Sequence, residues 1–406
     1  MNDDVPQTVT EPYRQHWSLS ADVTYLNHGS FGPSPNVVQS ARREWSARLE
    51  REPMDFFIRQ MEGLLEQAAE RLGQFVGASS DDLVFVDNAT TAMNIVAASI
   101  ELTPGDQVLL TDHEYGAVLR LWRRTCQRTG AEIVVQPLPD PLVCDDEIVE
   151  TLMAGVTDRT RLIVASHITS PTAAILPVEK ICRAARQRGV PVCVDGPHAV
   201  AMIPLDMKSI GCDYYTASCH KWLCAPFGSG FLYVAGRRQQ GIQPAVVSWG
   251  GSLGGRPANW KDEFNWIGTR DPAGYLSVPA AIEFLESVGL DRFRRRTHAL
   301  VREARQQICA LTGLEPIVPD ESRRYGSMVT LPLPEEPSTG KHKSRIPLQD
   351  PLQGTLWEQH RIEIPIMHWK GRRLIRVSCH LYNTPADIDR LCAALSDLLP
   401  PMGGGA

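Results

Sequence analysis

The stretch DYYTASCHKWLCAPFGSGFLYV, residues 213–234, sets a single lysine, Lys221, between a Ser-Cys-His run and a tryptophan. It then turns through Pro226, Gly228 and Gly230 into an apolar run. Most lysines of globular proteins are solvated surface groups. Here the flanking segments CDYYTA and GFLYV have strand composition, so Lys221 falls on a loop between two buried strands, where α/β proteins carry their chemistry. A lysine desolvated in such a place holds its proton less tightly, and the neutral amine is a nucleophile toward carbonyls and a base. A second candidate is Asp195, which closes the apolar run VPVCVDG. A carboxylate ending a buried strand requires a cationic partner or hydrogen-bond donors.

The elements that must position these groups alternate. LVFV at 83, DQVLLTD, AEIVVQPL, RLIVASH and VPVCVDG are strand-like, and TTAMNIVAASIEL, AVLRLWRRTCQRTG, DEIVETLMAG and PVEKICRAARQRG are helical. Strands separated by helices in this way predict a parallel sheet with helices on both faces. The rhythm fades after about residue 280. Two helices then precede strand-like SMVTLPLP, a polar segment EEPSTGKHKSRIPLQD, strand-like RRLIRVSCH and a last helix from Pro385. The expected organisation is an N-terminal segment over 1–22 packing on the small domain, a large α/β domain over 23–280 and a smaller α+β domain over 281–406.

Composition bounds the rest. The chain has 406 residues, 43% of them hydrophobic, enough for a packed core. Its 41 basic against 47 acidic residues leave a net charge of −6, which gives no reason to expect nucleic acid. The acidic, polar start and the lack of a long apolar stretch predict a cytoplasmic protein without a membrane span. The ten cysteines show no C-x-x-C pair and are expected to be reduced, several of them as small core hydrophobes.

In an open parallel sheet, ligands bind at the carboxyl ends of the strands. The first such end is VDNATTAMN, where Asn88, Ala89, Thr90 and Thr91 open a helix. Its free N–H groups and two hydroxyls suit a phosphate, or simply cap the helix. In TDHEYGAV, His113 and Tyr115 are placed to stack on a flat group, and SHITSPTAA adds His167 and small hydroxyl residues. With Asp195 and Lys221 these parts describe a site for pyridoxal 5'-phosphate. The cofactor asks for an amine at its aldehyde, a carboxylate at its ring nitrogen, a helix N-terminus at its phosphate and a flat side chain over its ring. A dinucleotide oxidoreductase would show G-x-G-x-x-G, which VDNATTAMN lacks. A metal hydrolase using His113, His167 and His198 lacks ligand spacing, so no metal is expected. A non-catalytic scaffold has little need of such a set.

The sequence resembles the class V aminotransferase superfamily of fold-type I pyridoxal phosphate enzymes, and within it the isopenicillin N epimerase group. The resemblance rests on VTYLNHGSFGPSP, DLVFVDNATTA, VDGPHA, CHKWLCAP, FNWIGTRDPAGYLSVPAAIEF and IRVSCHLYNTPADIDRL, which span nearly the whole chain in family order. It implies that Lys221 bonds the cofactor aldehyde and shuttles the Cα proton, that Asp195 keeps the pyridine nitrogen protonated, and that His198 touches the ring hydroxyl. Ala89, Thr90, Thr91, Ser218 and His220 would hold the phosphate. Thr269 would reach the partner subunit's phosphate, making a homodimer with shared sites. Tyr115, or His113 in its place, would stack on the ring. Arg376 would clamp the α-carboxylate of an amino-acid substrate, a bidentate task suited to arginine, with Asn27, His28 and Ser170 on the substrate side.

One departure from the family is informative. Desulfurases of the superfamily carry a nucleophilic cysteine shortly before the arginine clamp, and RIEIPIMHWKGRRLIRVS has none, so a persulfide-forming desulfurase is not expected. Ser170 also stands where desulfurases tend to have asparagine. The resemblance leaves three fates for a Cα carbanion. Elimination needs only Lys221, whereas epimerisation needs an acid on the opposite face, for which Tyr115 or His113 is available. The third fate is transamination or decarboxylating deamination. The balance tips to a Cβ–S lyase acting on a cysteine conjugate or similar amino acid in specialised metabolism, with the epimerase next.

Overall fold

The computed structural model describes residues 13–335 and 350–399. Residues 1–12 of the N-terminal segment, 336–349 of the polar segment and the 400–406 tail lie outside the described residues. A short strand β1 (Thr24–Tyr25) precedes the central sheet, whose strands are β2 (Leu83–Val86), β3 (Gln107–Thr111), β4 (Glu132–Gln136), β5 (Thr160–Ser166), β6 (Val192–Asp195), β7 (Tyr214–Ser218) and β8 (Gly230–Val234). Their spatial order is β2-β8-β7-β6-β5-β3-β4. The inner strands read as continuous apolar runs because both their faces are covered, whereas the edge strand β4 stays partly exposed. Period-two alternation divides them between two cores: Leu109, Ile163 and Val194 face one side, while Val108, Leu110, Leu162 and Val164 face the other.

The expected parallel sheet is mostly so, and β8 is the exception, antiparallel to both β7 and β2. The cause is the Lys221 loop. Residues 219–229 carry no helix between β7 and β8, and a parallel return requires a crossover of roughly a dozen residues or more, usually helical.

The C-terminal part contains β9 (Met328–Pro332), β10 (Ile362–Glu363), β11 (Ile366–Trp369) and β12 (Arg372–Ser378). Strands β11-β12-β9 form an antiparallel sheet, packed against the helix Leu290–Thr312, on which the helix Pro385–Leu398 lies in turn. Proline at the first helical position and the Thr384/Asp387 capping box start the last helix where the sequence places it. The chain start is tied to this part: β1 pairs with β10 in parallel, and buried Trp17 packs edge-on against His380 and Tyr382. No helix of the described residues is long and apolar enough to cross a membrane.

Candidate active site

The carboxyl ends of the parallel strands open into a cavity of about 800 Å³. Lys221, Asp195, His198, Ala89, Thr90, Thr91, Tyr115, Ser218, His220, Ser170 and Arg376 all line it. These residues come from six separate loops or strand ends, brought together because each follows a strand of one sheet, with Arg376 delivered by β12 of the C-terminal part.

Lys221 lies deep in this wall with one side open to the cavity. Burial, reinforced by the positive charge of Arg376 and opposed by Asp195, lowers its amine from the usual lysine range to about 7. Its Nζ sits 3.2 Å from His198 Nε2. Asp195 is buried, and desolvation pushes its carboxyl up to about 6 against a 2.7 Å hydrogen bond from the Thr216 hydroxyl to Oδ1. The second carboxylate oxygen has no partner among the described residues and is available to the cavity.

At the helix Ala89–Ser99, Asn88 caps the N-terminus by accepting from the Thr91 N–H at 2.9 Å, and the Ser218 hydroxyl accepts from the Ala89 N–H at 3.0 Å. The plain cap and the anion-suited cradle are thus the same structure. Its tightness depends on Gly230: a Cβ there would lie 2.5 Å from the Ala217 carbonyl and 2.9 Å from Asn88 Cα. Burial holds the His220 imidazole down at about 4, so the ring is neutral.

Arg376 is buried, and among the described residues no carboxylate pairs with it. Its guanidinium instead donates to the Ser170 carbonyl and hydroxyl at 2.9 and 3.0 Å and to the Ser30 hydroxyl at 2.8 Å, while Nε is buried with no partner. An arginine kept this way is a standing receptor for a carboxylate.

Of the two stacking candidates, Tyr115 lies in the cavity wall, half exposed. His113 does not: it is fully buried, with its ring 4.6 Å from Trp369 and Nδ1 bonded to Asp112. Asn27 and His28, expected on the substrate side, also face away. Asn27 donates to Glu363, and His28 is fully buried, bonded to the Tyr382 hydroxyl and the Lys221 carbonyl and stacked on His380. Their turn instead carries Gly29, Ser30 and Phe31 into the wall. Gly32 permits this approach, because a Cβ would meet the carbonyls of His220 and Lys221 at 2.7 Å. Thr269 is exposed and lies outside this chain's own cavity lining.

Sequence reasoning did not select Ser30, Thr216, Trp222 or Glu114. Ser30 stands in the motif LNHGSFG, and Thr216 neighbours Asp195 across β7, a register that pattern alone does not give. Glu114 lies beneath the site, fully buried, and accepts from Thr111 and twice from Ser166. Burial first, and then the nearby Asp195 charge, push its carboxyl up to about 7. Its signal was an acidic residue shortly past a strand end. His113, His167 and His198 do not converge as metal ligands. Among the described residues the grouping of ligand-type side chains is His28, Cys224 and His380. There the two imidazoles stack at 18°, and the Cys224 Sγ lies 3.7 Å from His28 Nε2 and 3.3 Å from His380 Nε2.

A family model for class V aminotransferases matches residues 33–391. The chain belongs to that family. Its members are pyridoxal phosphate enzymes. The chain is 37% identical to the isopenicillin N epimerase of Amycolatopsis lactamdurans over 95% of its own length and 97% of that protein's. It is 29% identical to a probable chloroplastic L-cysteine desulfhydrase of Arabidopsis thaliana, covering 93% of this chain and 83% of the other. Among solved structures it resembles the cystine C–S lyase C-DES in complex with cysteine persulfide, with a TM-score of 0.80 at 24% identity over 94% and 99% of the two chains. A C-DES mutant with glycine covalently linked to its pyridoxal phosphate cofactor gives a TM-score of 0.78. The class V chain thus has the fold-type I architecture.

Proposed function

We propose that this chain uses pyridoxal 5'-phosphate to remove the Cα proton of an amino acid or amino-acid conjugate and to expel a sulfur group from Cβ. The residues present suit the cofactor: a buried carboxylate with a free oxygen, a capped helix N-terminus with hydroxyls, and an amine that is readily neutral. When bound, the cofactor supplies an electron sink for the Cα carbanion. The second oxygen of Asp195 would hold the proton on the ring nitrogen. The hydroxyls of Thr90, Thr91 and Ser218, gathered at the positive end of the helix, would orient the phosphate. Arg376 turns its N–H groups from the Ser30 and Ser170 hydroxyls to the substrate α-carboxylate, and Lys221 Nζ takes the Cα proton. The electron pair left at Cα would then form a Cα=Cβ bond as the Cβ–S bond breaks with its own pair leaving on sulfur, and hydrolysis of the released enamine would give the keto acid and ammonia.

The observation that carries elimination is the asymmetry of bases. Lys221 is held close to its neutral form, while the Tyr115 hydroxyl on the wall has no hydrogen-bond partner among the described residues to hold it as an opposite-face acid. None of the ten cysteines lines the cavity, so a persulfide-forming thiolate has no support. Epimerisation is the second reading, favoured by the 37% identity to an isopenicillin N epimerase and by the presence of Tyr115 in the wall. Exposed Thr269, lying outside this chain's own cavity, and the exposed apolar side chains of Val246, Val247 and Trp249 support a homodimer in which Thr269 serves the partner's site. Ten unpaired cysteines suit the reducing cytoplasm, and an enzyme of specialised metabolism fits a conjugate substrate.

Product analysis on cysteine conjugates decides between the readings. Elimination releases a thiol, a keto acid and ammonia in equal amounts. Intact substrate with inverted Cα and solvent deuterium in both isomers would replace the lyase by the epimerase.

A further inference from the structure

Beside the catalytic lysine, the indole of Trp222 reaches the far side of the imidazole that Lys221 touches. Trp222 Nε1 lies 3.3 Å from His198 Nδ1, and His198 Nε2 lies 3.2 Å from Lys221 Nζ. An indole N–H only donates. His198 Nδ1 must therefore present its lone pair, and a neutral imidazole then carries its single proton on Nε2. That N–H points at Lys221, where only an unprotonated amine can accept it. An ammonium at the same place would set hydrogen against hydrogen, and an imidazolium would do so against the indole.

We infer that Trp222 is a positioning residue that fixes the His198 tautomer and so holds the Lys221 amine neutral and ready to bond an aldehyde. The indole has no room to turn away: it is fully buried, packed against the rings of His28 at 5.0 Å and His380 at 6.3 Å. The groups facing this pair from the surrounding elements act in both directions. Arg376 from β12 disfavours the ammonium, and Asp195 from β6 favours it. His28 from the turn after β1 and His220 beside the lysine are held neutral by burial. Burial and Arg376 thus lower the affinity of Lys221 for its proton, and the Trp222–His198 relay adds a directional constraint that neither supplies.

This inference rests on Lys221 being the residue that bonds the cofactor, and the test separates the two. In the cofactor-free full-length chain, reductive methylation with formaldehyde, read at Lys221 by peptide mass spectrometry across pH, follows the neutral amine. Trp222→Phe keeps an aromatic ring and removes the N–H. The apparent pKa of Lys221 should rise by about one pH unit, the equivalent of one hydrogen bond. The shift should vanish when the same change is made in a His198→Gln background, because no imidazole tautomer remains to be fixed. An unchanged profile in Trp222→Phe, or an equal shift in both backgrounds, would overturn the inference. Nitrogen-15 NMR of the unaltered protein tests the tautomer directly, without a variant: His198 should show a bare Nδ1 and a protonated Nε2, and the reverse tautomer sinks the idea. Separately, if borohydride reduction fixes the cofactor to another lysine, the functional reading fails whatever Trp222 does.

Discussion

Glu114→Gln should make the protein more stable at pH 8 and leave it nearly unchanged at pH 5. Glu114 is fully buried under the strand ends, with Oε1 accepting from the Thr111 hydroxyl and the Ser166 N–H and Oε2 accepting from the Ser166 hydroxyl. Glutamine preserves this pattern: its carbonyl replaces Oε1, and its amide donates to the Ser166 hydroxyl, which can also accept. What changes is the charge. The carboxyl is raised from 4.5 to about 7 by burial and by Asp195. Between those values the folded protein keeps a proton that the unfolded chain has released, so the stability contribution is complete below about pH 4.5 and is lost as pH rises through about 7. At 1.36 kcal/mol per unit the loss amounts to about 3 kcal/mol by pH 8. The variant carries no such loss. Asp195, raised to about 6 in the same sense, is present in both proteins and cancels apart from its repulsion of Glu114, which the raised value of Glu114 already contains. Calorimetry of the full chain in one cofactor state should show the variant melting a few degrees above the wild type at pH 8, with the gap closing by pH 5. A gap of the same size at both pH values would refute the assignment of a buried, ionisable Glu114, and a lower melting point at pH 8 would show that the amide does not fit.

Covalent uptake of the cofactor by Lys221 should accelerate with pH and level off above about 7 rather than near the 10.5 of an ordinary lysine; a rate still climbing at pH 9 would contradict a desolvated amine. Arg376→Ala removes the charge-assisted hydrogen bonds proposed for the α-carboxylate and should raise KM by roughly ten- to a hundredfold, with cofactor absorbance retained; an unchanged KM would move the carboxylate elsewhere. Tyr115→Phe should spare elimination, where the ring only stacks, and should abolish any Cα inversion, where the phenol must deliver a proton. Loss of lyase turnover in that variant would place the hydroxyl in the chemistry after all.

The alternation of apolar runs with helical segments was enough to place the central strands and the helices between them, because burial writes itself into the inner strands as apolar runs. The helices Asn36–Arg51, Met61–Val76 and Pro351–His360 and the short strands β1, β10 and β11 were not read from it. The reversal of β8 was not legible, since composition does not encode direction. It became evident only with the short, helix-free loop that carries Lys221. Among site residues, Lys221, Asp195 and the Asn88–Thr91 cap were readable because each breaks an apolar pattern at a strand end. His28 misled for the converse reason: it shares a motif with Ser30 and Phe31, but the turn directs it inward to Tyr382 and His380 while its neighbours face the cavity. Which side of a tight turn a residue takes is set by what packs against it, in this case the carbonyls of His220 and Lys221 around Gly32. Trp222 and Glu114 act through contacts made across the sheet or loop, and spacing along the chain carries no trace of those.

The site's electrostatics follow from one fact, that its charged groups are desolvated before any ligand arrives. Asp195 is pushed up to about 6, Lys221 down to about 7, and Arg376 down to about 10, each chiefly by burial. Each therefore costs the fold something in its charged form, and none has a full counter-charge of its own. In the proposed reading a cofactor with a protonated ring nitrogen at Asp195 and a substrate carboxylate at Arg376 would each offset one of these costs, and a bond from Lys221 to the cofactor would remove the question of its proton. Ligation and stability are then coupled by mass action, since the unfolded chain offers none of these sites. Preorganisation of this kind would also place a ligand carboxylate, because the Arg376 guanidinium lines the cavity together with Ser30 and Ser170, the groups that accept its hydrogen bonds.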